Sequence, residues 1–212
     1  MSEFSEIEEM YLKRIFEVHS ETPEAIVKTT QLADIMKISP ASVTEMIQRL
    51  SDREMVTHIP YRGCRLTPSG FQLAARIKRR QCLLEILLSD IIGFTGDVKD
   101  VACKMEHAVG EQLEATLDRL LGYPEKTPDG SRIPSVERSF EPLVIGALLP
   151  LANLPEGASA SVEMIISSDV EEITIRDVGV EVGSIISKID GSLFCDDKRF
   201  ELTHTMSIRV LV

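Results

Sequence analysis

The sequence predicts a mainly α-helical protein with small β elements, in which a helical N-terminal part is followed by a β-rich C-terminal part. Three observations predict it. Apolar residues recur at helical spacing through most of the chain up to Leu120, interrupted by one hairpin pattern. A stretch at 123–141, carrying Pro124, Pro128 and Pro134, reads as an inter-domain linker. Beyond it the helical period gives way to short, β-branched, partly alternating segments that read as strands: SASVEMIIS, EITIRDV, GSIISKI, SLFCD, RFELT and MSIRVLV.

Length and composition bound the rest. A chain of 212 residues accommodates two or more domains, and 43% hydrophobic residues supply real cores. The longest apolar runs, Leu83–Leu88 and Leu143–Leu151, are too short for a spanning helix. The acidic N-terminus, MSEFSEIEEMYLKR, does not have the form of a signal peptide. Cys64, Cys82, Cys103 and Cys195 are widely spaced and form no CxxC pair, so a reducing, cytoplasmic setting is expected rather than a disulfide framework.

The first helix is expected over Ser5 to Val18, with Ile7, Met10, Tyr11, Ile15 and Val18 on one stripe. Met10 has two readings there, core filler or a soft thioether facing a site. Thr30 is placed to cap a short second helix with Leu32, Ala33 and Met36 inward. Ile38-Ser39-Pro40 breaks it, and Ser39 can cap a third helix with Pro40 at its first position and Val43, Met46, Ile47 and Leu50 inside. Two short helices joined by a tight turn make a helix-turn-helix pattern, whose second member presents Ala41, Ser42, Thr44, Glu45 and Gln48 outward.

MVTHIPYRGCRLTPSG then reads as strand, tight turn, strand and helix start. A hairpin carrying Arg62 and Arg65 directly after a helix-turn-helix is the pattern of a wing. Its arginines suit phosphates, and the small hydroxylic residues Thr30, Ser39, Ser42 and Thr44, with Ala41 and Gln48, suit close approach to double-stranded DNA. Charge distribution agrees. The net charge is −11, yet Lys37 to Arg80 hold nine Lys/Arg against three acids, a local +6.

A long helix over 68–92, with a broad stripe of Leu83, Leu84, Leu87, Leu88 and Ile91, and a second from about Asp97 to Leu120 carry more apolar surface than one wing domain needs. A dimer interface is the expected use of the excess. Within the second helix, Cys103, Glu106 and His107 stand at i, i+3 and i+4, which puts a thiolate, a carboxylate and an imidazole on one face. These are transition-metal ligand types.

Residues 4 to 122 resemble the diphtheria toxin repressor family of metal-dependent transcriptional regulators. The resemblance rests on EMYLKRIFEV, on SPASVTEMIQRL followed by YRGCRLTPSG, and on LLEILLSDIIG followed by ACKMEH. It implies a primary metal site at Met10, Cys103, Glu106 and His107, and the soft donors at two of those positions resemble the iron-sensing branch. It implies a winged helix-turn-helix domain over 1–72 and a helical dimerisation and metal-binding domain over 73–122, followed by the linker. LANLPEGASASV and IRDVGVEVGSII further resemble the SH3-like domain that closes longer members of the family and is akin to ferrous-iron-transport accessory proteins, which implies such a domain over 142–212. An ancillary metal site in the family matches Gln81, Glu85 and Lys99 here. Only Glu85 is of a ligand type that suits it, so this second site is expected to be degenerate, with Lys99 pairing Glu85 instead.

The expectation is a repressor that binds operator DNA as a homodimer, with one or two dimers per operator, when loaded with Fe(II). Co(II), Ni(II), Mn(II) or Zn(II) are possible substitutes. A manganese-responsive regulator, or a metal-independent regulator using Cys103 as a redox thiol or haem ligand, are the alternatives. No membrane partner is expected. An enzyme is not expected either, because no nucleophile–base arrangement is visible and His19, His58 and His204 stand apart from other catalytic types.

Overall fold

The computed structural model describes residues 4–22, 25–137, 146 and 148–212. The last four positions of the expected linker, 138–141, and the first of the expected C-terminal domain lie outside them.

Helix α1 spans Glu6–Glu21 and opens on a reciprocal cap. Ser5 Oγ accepts from the Glu8 N–H at 3.3 Å, and Glu8 Oε2 accepts from the Ser5 N–H at 2.8 Å. Helix α2, Thr29–Met36, starts one residue before the expected cap at Thr30; Lys28 holds the cap position without a side-chain bond. It ends at Lys37, whose left-handed backbone (φ 56°) turns the chain. Helix α3, Pro40–Asp52, is capped as expected, Ser39 Oγ accepting from the Ser42 N–H at 3.1 Å. The wing follows as β1, Val56–Ile59, and β2, Gly63–Leu66, paired antiparallel with Val56 opposite Leu66 and Ile59 opposite Gly63. Leu12, Ile15, Leu32, Val43, Ile47, Leu50 and Val56 form the core under these elements, joined by Ala74 of α4, Pro68–Ile86.

Gly63 shows why that core is tight. Val27 bridges Cys64 across the wing, with Val27 N–H donating to Cys64 O at 2.9 Å. A Cβ at Gly63 would come within 2.0 Å of Val27 O, at a backbone φ of +128°. No side chain fits there.

One expectation about the following helices needs correction. On the broad stripe of the first, Leu83, Leu84, Leu88 and Ile91 are buried, whereas Ile92 and Phe94, which follow it, are exposed. The second does not run unbroken from 97 to 120. Helix α5, Val98–Met105, passes into a 3₁₀ turn at Glu106–Ala108, and a new helix α6 spans Glu111–Leu120. Extended backbone at Val109 and the Gly110 that follows end the first helix. Residues 87–91, at the end of α4, are wound as a π-turn.

The C-terminal part contains β3 Ser159–Ser161, β4 Met164–Ile165, α7 Asp169–Asp177, β5 Ile185–Ile189, β6 Ser192–Cys195, β7 Lys198–Phe200, α8 His204–Arg209 and β8 Val210–Leu211. Strands β3-β5-β6-β7 form one antiparallel sheet and β4-β8 a second pair. Their core holds Leu151, Val162, Ile175, Val180, Ile186 and Val210. EITIRDV and most of MSIRVLV, expected as strands, are helical. Glu171 accepts from the Ser168 N–H at 3.0 Å and so caps α7, and Thr203 caps α8. Among the described residues no helix is long and apolar enough to cross a membrane.

The described residues divide into two compact units. The first comprises 4–22, 25–81, 103–110 and 133–137; the second comprises 82–102, 111–132, 146 and 148–212. Val136, in the expected linker, packs on the core of the first unit.

Candidate metal centre and nucleic-acid interface

The Cys-x-x-Glu-His triplet falls in the first unit, at the junction of α5 and its 3₁₀ turn. Cys103 lies in the last turn of α5, and Glu106 and His107 lie in the 3₁₀ turn. Helix α1 supplies what they face. Glu9 Oε2 lies 2.7 Å from His107 Nδ1, with both side chains almost completely buried. One turn later, the Lys13 side chain is fully buried, and its Nζ donates to Glu106 Oε1, to Cys103 Sγ at 3.2 Å and to Gln81 Oε1 at 3.2 Å. Met10 lies between Glu9 and Lys13 in sequence and is half-buried.

Several residues of this cluster carry no ligand signature in the sequence. Glu9 and Lys13 read as the polar side of an amphipathic helix. Gln81, matched to the ancillary position, instead belongs to the triplet's surroundings, where it accepts from both Lys13 and Lys78 (3.3 Å). Helical spacing offered one usable signal: Glu9 and Lys13 are i, i+4, on the face that flanks Met10.

The electrostatics are those of a buried charge cluster. Burial pushes the Glu106 carboxyl above the ordinary carboxylate range, while Lys13, His107 and Lys78 pull the other way. Glu106 Oε2 and His107 Nε2 are buried without a hydrogen-bond partner. His107 Nε2 stands 3.5 Å from Glu106 Oε1. Two orphaned acceptor-type atoms beside a thiol are the donor set of a divalent transition ion, so the residues fit such an ion chemically. As they stand, no group of three His, Cys, Asp or Glu side chains among the described residues is gathered to hold one, and an ammonium lies among the donors.

At the ancillary position, Lys99 pairs with Asp129 at 2.8 Å rather than with Glu85, which adds only a longer-range attraction. That hydrogen bond is the largest cause holding the Asp129 carboxyl far below the usual carboxylate range. Glu85 itself is buried.

On the DNA-facing candidates, Thr30, Ser39, Ala41, Ser42, Gln48, Arg62 and Arg65 are exposed. Thr44 is half-buried, and its hydroxyl donates back to Pro40 O at 2.9 Å, so it is a poor base reader. Glu45 pairs with Arg49 along the helix. A groove of about 550 Å³ runs between the start of α2 and the wing, lined by Lys28, Thr29, Thr30, Tyr61, Arg62 and Arg65. Tyr61, at the wing tip with φ +63°, is fully exposed. Lys28 and Tyr61 line this groove beside the expected residues, and the YRG turn next to a basic strand is the sequence signal that points to Tyr61.

The +6 island is less available than its count suggests. Arg79 is fully buried and donates to Pro134 O; Arg80 is buried. Lys78 pairs with Glu17 at 2.9 Å, Arg76 donates to Glu137 O, and Arg53 pairs with Glu8 while lying over the Phe4 ring. Lys37, Arg49, Arg62 and Arg65 are the members that face solvent. The lone histidines are local: His19 Nε2 lies 2.9 Å from Ala25 O, and His204 is exposed.

A three-helix unit with a two-stranded wing, joined to a buried cluster of ligand-type side chains, defines a metal-dependent transcriptional repressor. The family described as "Iron dependent repressor, N-terminal DNA binding domain" matches residues 3–64, and "Iron dependent repressor, metal binding and dimerisation domain" matches residues 67–135. The diphtheria toxin repressor of Corynebacterium glutamicum is 29% identical over 217 residues, covering 98% of this chain and 92% of the relative. The iron-dependent repressor IdeR of Mycobacterium tuberculosis is 30% identical over 191 residues, covering 85% and 82%. A solved manganese-dependent transcriptional repressor in complex with manganese shares the fold, with a TM-score of 0.56 at 24% identity over 96% of this chain and 98% of its own. The chain belongs to the iron-dependent repressor family that includes the diphtheria toxin repressor.

Proposed function

We propose that Fe(II) is the ion this repressor senses, and that it holds operator DNA as a homodimer when loaded. The observation that supports this is the donor chemistry around the triplet. Cys103 Sγ, the orphaned Glu106 Oε2 and His107 Nε2, with the Met10 thioether on α1, are softer than the all-oxygen sets that suit manganese. Met10 of α1, with Cys103, Glu106 and His107, would hold the ion, which would supply positive charge to a cluster of thiol and carboxylate. Glu9 holds the His107 ring through Nδ1, which leaves Nε2 as the ligating nitrogen. Co(II), Ni(II), Mn(II) and Zn(II) are substitutes this donor set would accept with different affinities.

The DNA side of the proposal uses exposed groups only. Ala41, Ser42 and Gln48 of α3 enter the major groove. Arg62 and Arg65, with Lys28 and Thr30 across the groove, take phosphates. The domain assignment proposed above, 1–72, 73–122 and 142–212, goes with this reading, as do a cytoplasmic setting, regulation of iron-handling genes, and the absence of any catalytic or membrane role. The four-stranded sheet and the β4–β8 pair support an SH3-like C-terminal domain.

The test is operator affinity measured anaerobically with Fe(II), Mn(II), Co(II) or chelator. Fe(II) should raise affinity at a lower free concentration than Mn(II). A response to Mn(II) at lower free concentration than Fe(II) makes the chain manganese-responsive. DNA binding that ignores chelator but is abolished by peroxide makes Cys103 a redox thiol instead.

A further inference from the structure

Lys13 is among the most buried large side chains of the protein, and it has the whole of its hydrogen-bonding capacity engaged. An ammonium has three donors. Here they meet Glu106 Oε1, Cys103 Sγ at 3.2 Å and Gln81 Oε1 at 3.2 Å. Two of those three acceptors belong to the candidate metal ligands. The next residue, Arg14, directs its guanidinium to Glu17 at 2.7 Å instead. The remaining atoms of the set, Glu106 Oε2 and His107 Nε2, have no hydrogen-bond partner. The ammonium thus serves one carboxylate oxygen and the thiol and leaves the other two donors unserved.

We propose that Lys13 is a resident cation of the metal centre: it ties α1 to the turn after α5 in the metal-free protein, and a divalent ion takes Cys103 Sγ, beside Glu106 Oε2 and His107 Nε2, only by displacing it. The inference rests on the metal-site reading given above. Its physical basis is that two cations cannot share Cys103 Sγ at contact distance in a buried site, where screening is weak. Lys13 therefore sets the metal concentration at which the repressor responds. It also makes the metal-free state an ordered one, because the α1-to-turn joint is already closed by a side chain that the sequence itself provides.

The experiment is anaerobic Co(II) titration of the full chain, followed by the thiolate-to-cobalt charge-transfer band, on the wild type and on Lys13→Met, Lys13→Gln and Lys13→Arg. Thermal melts of each metal-free protein run alongside. Lys13→Met and Lys13→Gln should bind Co(II) at least about tenfold more tightly than wild type, whereas Lys13→Arg, which keeps the charge, should stay close to it. Metal-free Lys13→Met should melt below the wild type and gain more on Co(II) addition. Equal or weaker Co(II) binding by both neutral variants would overturn the proposal and leave Lys13 an ordinary structural ion pair. If the neutral variants fail to fold, the wild type carries the test. The ¹⁵N resonance of Lys13 Nζ should move to that of a solvated ammonium on Zn(II) addition, and an unmoved resonance refutes displacement. If all folded chains lack a thiolate–cobalt band, the metal-site reading itself fails and takes this proposal with it.

Discussion

Lys13 Nζ lies 3.2 Å from Cys103 Sγ, ninety residues away in sequence, in a pocket closed to solvent on the lysine side. Cys103→Ser keeps an acceptor of similar size for the ammonium and removes the soft donor. The fold should survive with a change in stability under about 1 kcal/mol. Metal-dependent operator affinity should fall at least about tenfold, since a hydroxyl is a far weaker ligand than a thiolate. Fluorescence anisotropy with labelled operator, paired with a urea melt, checks both halves; a metal response equal to wild type removes Cys103 from the ligand set.

Glu9 anchors His107 at 2.7 Å. Glu9→Ala leaves a buried imidazole nitrogen without its acceptor, which should cost about 1–3 kcal/mol in a denaturant melt. Loss of the orienting carboxylate should also weaken metal binding by about 10- to 100-fold. A variant destabilised by that amount but binding Co(II) as tightly as wild type shows that the contact is structural only.

Arg62 and Arg65 are exposed on the wing, whereas Arg79 is sealed inside. Arg62→Ala with Arg65→Ala should weaken operator and non-specific DNA binding alike. It should also reduce the slope of log affinity against log salt by about 2, near 0.9 per phosphate contact. An unchanged slope places the wing off the DNA.

The approach of Val27 O to Gly63 makes this position intolerant. Gly63→Ala requires both a strained φ and a shift of the Val27–Cys64 bridge, so it should destabilise by more than about 1 kcal/mol. Loss of amide protection at Val27 and Cys64 in hydrogen exchange would locate the damage at the root of the wing.

Glu17 supplies a pH dependence. Burial raises its pKa, but Lys78 and Arg14, which both hydrogen-bond it, outweigh burial and hold the carboxyl below its usual 4.5. A depressed folded-state pKa means that the unfolded chain binds the proton more readily. The stabilisation is therefore present above the unfolded value and is lost as pH falls through the folded one. Glu17→Gln should lower stability near neutral pH and flatten the acid limb below about pH 5. A parallel acid limb in the variant assigns the acid sensitivity elsewhere.

How far these residues were legible depends on the range of the interaction that places them. The capped α3, with Ser39 before Pro40 and Val43, Ile47 and Leu50 inward, follows from local propensity and a 3.6-residue period, and the structure agrees. So does the wing, which turn chemistry at Tyr61-Arg62-Gly63 specifies within a few residues. EITIRDV was misread because β-branched Ile and Thr suggest a strand, while the contact that decides it, Glu171 folding back on Ser168, favours a helix start. The basic island was overcounted for another reason. Charge is visible in sequence, but whether an arginine finds an internal partner, as Arg53 finds Glu8 and Phe4, is not.

The sequence by itself determined the family, the winged helix-turn-helix order, the change to β structure and the ligand types of Cys103, Glu106 and His107, because each is written in residues near one another along the chain. Only the tertiary structure decided that Glu9 meets His107 and that Lys13 and Gln81 enter the same cluster. It also placed Lys99 on Asp129, paired Lys78 with Glu17, and turned Arg79 and Arg80 away from solvent. The reason is desolvation. A charge buried away from water must find a partner wherever the packing of distant segments offers one, and no local pattern announces which partner that will be.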